Sequence, residues 1–165
     1  MIIRLETEAD ATRVHELQAA AFGRAQEADL AAALREGGHS IDEMCLVAEV
    51  DGRVVGHVVC SIGDLGGVPV PGLGPIGVEP DLQHTGIGSA LMHGAIGAAE
   101  ARHEPMIVLL GNPDYYGRFG FIASSEVNVA PPDESWGHFF QARPLTHHDP
   151  SLVGEYRYPA PFEGV

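Results

Sequence analysis

Pro75-Ile76-Gly77-Val78-Glu79-Pro80-Asp81-Leu82-Gln83-His84-Thr85-Gly86-Ile87-Gly88-Ser89-Ala90-Leu91 is the stretch whose reading decides the fold. It runs from a β-branched segment through a Pro/Asp turn into a loop punctuated by Gly86 and Gly88, and then into a helix. Such a loop points several backbone N–H groups the same way, at the positive end of a helix dipole, which makes a ready site for phosphate. The candidate phosphate contacts are therefore Gln83, His84, Thr85, Gly86, Ile87, Gly88 and Ser89. Taken alone, Gly-x-Gly before a helix reads equally well as a tight strand-to-helix turn. The flanking sequence has to arbitrate.

Upstream, Ile2 to Leu5 reads as a short first strand. Thr7 and Asp10 stand at capping-box spacing ahead of a helix carrying Val14, Leu17, Ala21 and Phe22. Gly23-Arg24 breaks that run, and Glu27 to Leu34 gives a second helix stopped by Gly37-Gly38. Residues 44–50, Asp51-Gly52 and residues 53–62 form a strand, a turn and a strand. The Gly- and Pro-rich residues 63–72 are expected to be a loop before a strand around Leu73 to Val78. Gly72-Leu73-Gly74-Pro75-Ile76-Gly77 satisfies the dinucleotide fingerprint by spelling only. Pro75 lies inside it, and a strand rather than a helix follows.

Downstream, the helix from Gly86 carries Ile87, Leu91, Ala95 and Ala99 on one face and must stop before Pro105. Gly94 and Gly97 are expected to let it lie close to a sheet. Met106 to Leu110 is a short, fully apolar run, as in a buried central strand. Strands are expected to dominate the remainder.

A second block, Leu109-Leu110-Gly111-Asn112-Pro113-Asp114-Tyr115-Tyr116-Gly117-Arg118-Phe119-Gly120-Phe121, follows that strand. With Gln83, Gly86 and Gly88 matching Gln/Arg-x-x-Gly-x-Gly/Ala, and Asn112, Tyr116 and Gly120-Phe121 in order behind it, the chain resembles the GNAT superfamily of N-acetyltransferases over most of residues 2–122. The resemblance implies an α/β (α+β) fold with a mixed, mostly antiparallel sheet flanked by helices and splayed where acetyl-CoA enters. It implies that pantetheine bonds the strand edge at Ile76, Gly77 and Val78, and that the pyrophosphate sits on amides from His84 to Ser89. Asn112 would help position the CoA arm, and Tyr116 would stand near the thioester sulfur as general acid. Tyr115 reads as a packing residue. Many loops of the family carry a basic residue where this chain has Thr85, so the pyrophosphate is expected to lean on backbone donors, with His84 as helper.

Composition narrows the remaining classes. The 165 residues fit one domain, with 45% apolar and 19% charged residues. The formal charge of −14 argues against nucleic acid or an anionic membrane as partner. All nine basic residues are Arg, which removes a Walker loop and any lysine nucleophile or base. No apolar stretch could span a bilayer and no leader is apparent, so a cytoplasmic location is expected. Cys45 and Cys60 read as buried thiols. His147-His148-Asp149 lacks metal-ligand spacing, and no metal site is expected.

The general base stays open among Glu49, His57, Asp64 and Glu79. The segment 143–165 is expected to pack on the domain. Lining the acceptor site or a homodimer contact are its open alternatives. The resemblance implies transfer from acetyl-CoA to a primary amine of a small molecule or peptide by direct attack. A non-catalytic acyl-CoA-binding regulatory module is the competing class.

Overall fold

The computed structural model of the protein describes residues 1–165. Strand β1 (Ile2–Leu5) leads into a capped helical entry. The Thr7 backbone N–H donates to Asp10 Oδ2 at 2.8 Å, and the Arg4 guanidinium grips both Asp10 oxygens at 2.8 and 2.9 Å. Helix α1 (Ala11–Phe22) ends at Gly23 in the left-handed region, and α2 (Gln26–Glu36) follows. Strands β2 (Leu46–Val50) and β3 (Arg53–Leu65) join through Asp51 and Gly52, both at positive φ, as a two-residue hairpin turn requires.

Residues 63–72 are not the expected loop. Strand β3 continues to Leu65, Gly66 and Gly67 turn with φ of +59° and +87°, and β4 (Val68–Val78) begins at once. Pro69 and Pro71 are two residues apart, so their missing donors fall on one edge of the strand and spare the other, and Pro75 falls at an irregularity of the ladder. The dinucleotide-like spelling lies wholly inside β4. Between Val58↔Ile76 and Cys60↔Leu73 the ladder advances three residues on β4 against two on β3, a one-residue bulge around Gly74-Pro75.

Helix α3 (Ile87–Ala101) and strand β5 (Met106–Leu110) follow, then the short α4 (Pro113–Tyr116). The strands of the remainder are brief: β6 (Ile122–Ala123), β7 (Val129–Ala130), β8 (Phe140–Pro144) and β9 (Gly154–Arg157). Strand structure therefore does not dominate there. Pro131-Pro132 and a kink at Gly137 break it into 3₁₀ turns.

The sheet order is β1-β2-β3-β4-β5-β8-β6, with β9 joined to β3 and β7. Pairing along that order is antiparallel except between β4 and β5, which run parallel and share a single registered pair, Gly72↔Val108. Past that pair the two strands diverge and leave a wedge-shaped opening. Helices α1 and α2 cover one face and α3 the other. His57 and Gly77 face Gln18 of α1, whereas a Cβ at Gly56 would stand 2.8 Å from Ile87 Cγ2 of α3. Gly94 also allows close packing, since a Cβ there would meet Leu46 Cδ1 at 2.9 Å. Gly97 faces open space and has no such role.

The main core lies between α3 and the sheet, around Leu91, Met92, Ile107 and Leu109, all fully buried. The C-terminal segment belongs to the sheet itself. Tyr156 is fully buried, and its hydroxyl donates to the Val70 carbonyl at 2.9 Å. No helix is long and apolar enough to cross a membrane.

Candidate active site

The opening between β4 and β5 holds two chambers that share Phe22, Ile76, Tyr115 and Tyr116. The first, about 650 Å³, lies between the end of β4 and the start of α3. Its walls include Ile76, Gly77, Val78, Gln83, His84, Gly86, Gly88, Ser89 and Tyr116, so nine sequence-derived candidates converge there. The backbone N–H groups of residues 84–89 find no backbone acceptor, and the first intrahelical bond is Ala90 N–H to the Gly86 carbonyl at 3.0 Å. His84 and Gly86 adopt φ of +64° and +95°, which curls this run of donors into a concave nest. At a helix N-terminus this is a site for a phosphate group.

Three candidates sit elsewhere. Thr85 turns away from the chamber, its hydroxyl donating to the Leu82 carbonyl. The Ile87 side chain packs in the core, leaving only its N–H for a ligand. Asn112 lines the second chamber, and its Oδ1 caps α4 by accepting from the Asp114 N–H at 2.9 Å.

Tyr116 stands in the partition between the chambers. A Cβ on Gly111 would overlap its ring, so that glycine reserves the space the ring fills. Burial pushes the Tyr116 hydroxyl up to about 12, with the neighbouring Tyr115 adding to the rise. Tyr115 is more than packing. A Cβ built on Gly88 would lie 2.9 Å from its hydroxyl, so the phenol abuts the phosphate nest. Arg118 stacks over the Tyr115 ring at 4.8 Å and lines the same chamber. It is the one arginine on that chamber's wall. The sequence signal was its place between Tyr116 and Gly120.

None of the four base candidates reaches either chamber. Glu49 pairs with Arg4 at 2.8 Å, and Glu79 pairs with Arg13 and Arg53. Asp64 accepts from the Gly67 N–H at 3.2 Å. His57 is buried between Gln18 Nε2 at 2.8 Å and Glu6 Oε2 at 2.9 Å. The carboxylate that does line a chamber is Glu27, in the second one, of about 500 Å³. Glu27, Leu30, Ala31 and Leu34 share one face of α2 by helical spacing, so a charge within the apolar stripe was the overlooked signal. The Arg24 guanidinium bonds both Glu27 oxygens and holds the carboxyl below its ordinary range.

Residues 2–123 match the family model described as an acetyltransferase (GNAT) domain. YjhQ of Escherichia coli K12, named an uncharacterized N-acetyltransferase, is 31% identical over 68% of this chain, and the match spans 64% of that relative's length. YhbS of the same organism, also named an uncharacterized N-acetyltransferase, is 32% identical over 73% of each chain. The solved structure of YhbS in complex with CoA superposes with a TM-score of 0.88 at 27% identity, covering 98% of this chain and 91% of that one. A GNAT family acetyltransferase from Brucella melitensis, solved with acetyl-CoA, gives 0.82 at 31% identity, covering 98% and 97%. The splayed sheet, the nest of free amides and these matches lead to one conclusion: the chain belongs to the GNAT acetyltransferase family.

Proposed function

We propose that the protein transfers the acetyl group of acetyl-CoA to a primary amine by direct attack. The observation that carries this reading is the position of Tyr116 between a chamber walled by unpaired amides and a second chamber holding Glu27. The pyrophosphate of acetyl-CoA rests on the amides of His84 to Ser89, with Arg118 as counter-charge. Its pantetheine arm runs along the free edge of β4 at Ile76 to Val78, and its thioester reaches the partition. The acceptor enters from the other side. YhbS and the Brucella protein, solved with CoA and acetyl-CoA, support this seating of the donor.

In the reaction the amine nitrogen bonds to the thioester carbonyl carbon, the C–S bond breaks, and the electron pair leaves on sulfur. Starting from the ammonium ion, the products are the acetamide, the CoA thiol and one proton released to water. The ammonium must first lose a proton. Passing it even to an ordinary carboxylate would cross about six pKa units, or roughly 8 kcal/mol, and Arg24 holds Glu27 lower still, so Glu27 binds the ammonium rather than deprotonating it. Water carries that proton away.

Tyr116 faces the leaving sulfur as a donor. With its hydroxyl near 12 and a thiol near 8.5, complete transfer would cost about 5 kcal/mol, so it stabilises the developing thiolate mainly through a hydrogen bond. The buried thiols Cys45 and Cys60 fit work in the reducing cytoplasm.

Thiol release from acetyl-CoA across a panel of primary amines tests the reading. Amine-dependent release is expected. Tight acetyl-CoA binding with no release for any amine would indicate the non-catalytic acyl-CoA-binding module instead.

A further inference from the structure

The second chamber does not end at Glu27. It continues, through the shared residues Leu30, Leu110, Tyr158 and Phe162, into a third cavity of about 500 Å³ that reaches Trp136. Three aromatic rings line this outer cavity. The centroids of Tyr158 and Phe162 are 4.3 Å apart, and Trp136 stands 6.2 Å from Tyr158. Leu110 is 46% exposed although the four preceding residues of β5 are fully buried. With Leu30, Trp136, Tyr158 and Phe162 it forms a contiguous apolar wall, the kind of exposed patch that marks a ligand groove.

The charges divide in a matching way. Glu27 is the one carboxylate lining the inner chamber beside Tyr116 and Asn112. A carboxylate offers about four lone-pair sites, and Arg24, whose side chain is 61% exposed, is its single ionic partner. Beyond the rings, Glu155 and Arg157 lie on one face of β9, two residues apart, and Glu163 joins them. Two carboxylates against one guanidinium leave that end net negative, which disfavours an acidic tail on the ligand.

We infer that the acceptor is an arylalkylamine: a primary ammonium group bound at Glu27 on a short aliphatic linker, with its aromatic ring among Trp136, Tyr158 and Phe162. This rests on the acetyl-transfer reading above. The linker crosses the waist at Leu30 and Leu110, and the ring takes edge or face contacts from the three aromatic side chains. An aliphatic polyamine would leave the ring cavity unfilled, and an aromatic amino acid would bring its own carboxylate next to Glu27.

Full-length protein is assayed for thiol release with acetyl-CoA and phenethylamine, tryptamine, butylamine, spermidine or phenylalanine. The expected kcat/KM for the better arylalkylamine exceeds that for each of the other three by at least about tenfold. Trp136→Ala and, independently, Phe162→Ala should lower the tryptamine-to-butylamine ratio of kcat/KM by about tenfold, mainly through KM. Thermal melting identifies any variant that fails to fold, and the other then decides. Glu27→Gln should raise KM for every amine tested.

Equal kcat/KM across the panel, a preference for spermidine or phenylalanine, or an unchanged ratio in a folded ring variant would overturn the inference. Acetyl-CoA affinity, measured by calorimetry on the same preparations, separates the two levels. Failure to bind acetyl-CoA defeats the acetyl-transfer reading. Binding and turnover with the wrong amine class defeats the arylalkylamine inference alone.

Discussion

Replacing Tyr116 by Phe removes one oxygen from the partition between the two chambers. The ring contacts with Phe121 and Tyr115, at centroid distances of 6.1 and 4.9 Å, remain. The hydroxyl owes its raised pKa to burial and to Tyr115 alone, with no hydrogen bond contributing, so its loss orphans no protein partner. Stability should therefore stay within about 0.5 kcal/mol of the parent. A hydrogen bond to a charged group is worth about 1.5–3 kcal/mol. Tyr116→Phe should accordingly lower kcat by roughly 10- to 150-fold, with acetyl-CoA affinity almost unchanged, because the interaction strengthens only as negative charge collects on sulfur. Stopped assays of thiol release give kcat, and calorimetry gives the affinity. A folded variant with parental kcat would refute the assignment. So would an equal loss of affinity and turnover, which would make the tyrosine a ground-state contact.

Arg118→Ala should weaken acetyl-CoA binding by about tenfold at low salt with little effect on kcat, and the deficit should shrink as salt screens the parent's charge; equal Kd values at low salt would remove Arg118 from the phosphate site. Gly111→Ala should displace the Tyr116 ring and lower kcat at least as far as Tyr116→Phe does, since the added methyl would occupy the ring's space; parental turnover in a folded variant would contradict that geometry. Across pH, kcat/KM should rise about tenfold per unit up to the pKa of the amine, with no alkaline loss from Tyr116 below about pH 11; a plateau near neutrality would reveal a protein base. Asp10 is held down to about 2, against an ordinary 3.8, by the Arg4 guanidinium and the Thr7 N–H. Its pairing stabilises the fold fully above about pH 4 and is lost as pH falls through 2, so Asp10→Asn should cost about 1 kcal/mol at pH 7, after allowance for solvent screening of the partly exposed Arg4, and almost nothing near pH 1; an equal cost at both pH values in urea titrations would rule out the ion pair as its source.

The parts of the fold legible in the sequence were those written in local chemistry. The glycines at 86 and 88, the Asp51-Gly52 turn and the apolar run at 106–110 each have one economical backbone solution. The hairpin at Gly66-Gly67 was obscured because three prolines in β4 resemble loop punctuation until the shared edge of Pro69 and Pro71 and the bulge at Pro75 are known. The candidate site divided the same way. The phosphate nest could be read from a contiguous segment, whereas Glu27 of α2, Arg118 in the turn after α4, Trp136 in the turn before β8, and Tyr158 and Phe162 of the C-terminal segment come together only in three dimensions. Glu27 and Arg118 left faint marks, a charge in an apolar helical stripe and a cation beside Tyr116. The base candidates failed for a different reason. Glu49, His57 and Glu79 have partners distant in sequence and invisible to local reading, such as Arg4 for Glu49 or Glu6 for His57, whereas Asp64 is taken up by its own turn at Gly67.

The central claim is that acetyl-CoA is held on the amides of residues 84–89. Calorimetric titration of acetyl-CoA into the parent protein and into Gly88→Glu tests it most directly. A side chain at 88 would crowd the Tyr115 hydroxyl and set a carboxylate against the pyrophosphate. The parent should bind one equivalent saturably, and the folded variant should show no measurable binding. Absence of binding by the parent, or the same affinity in both proteins, would contradict the account.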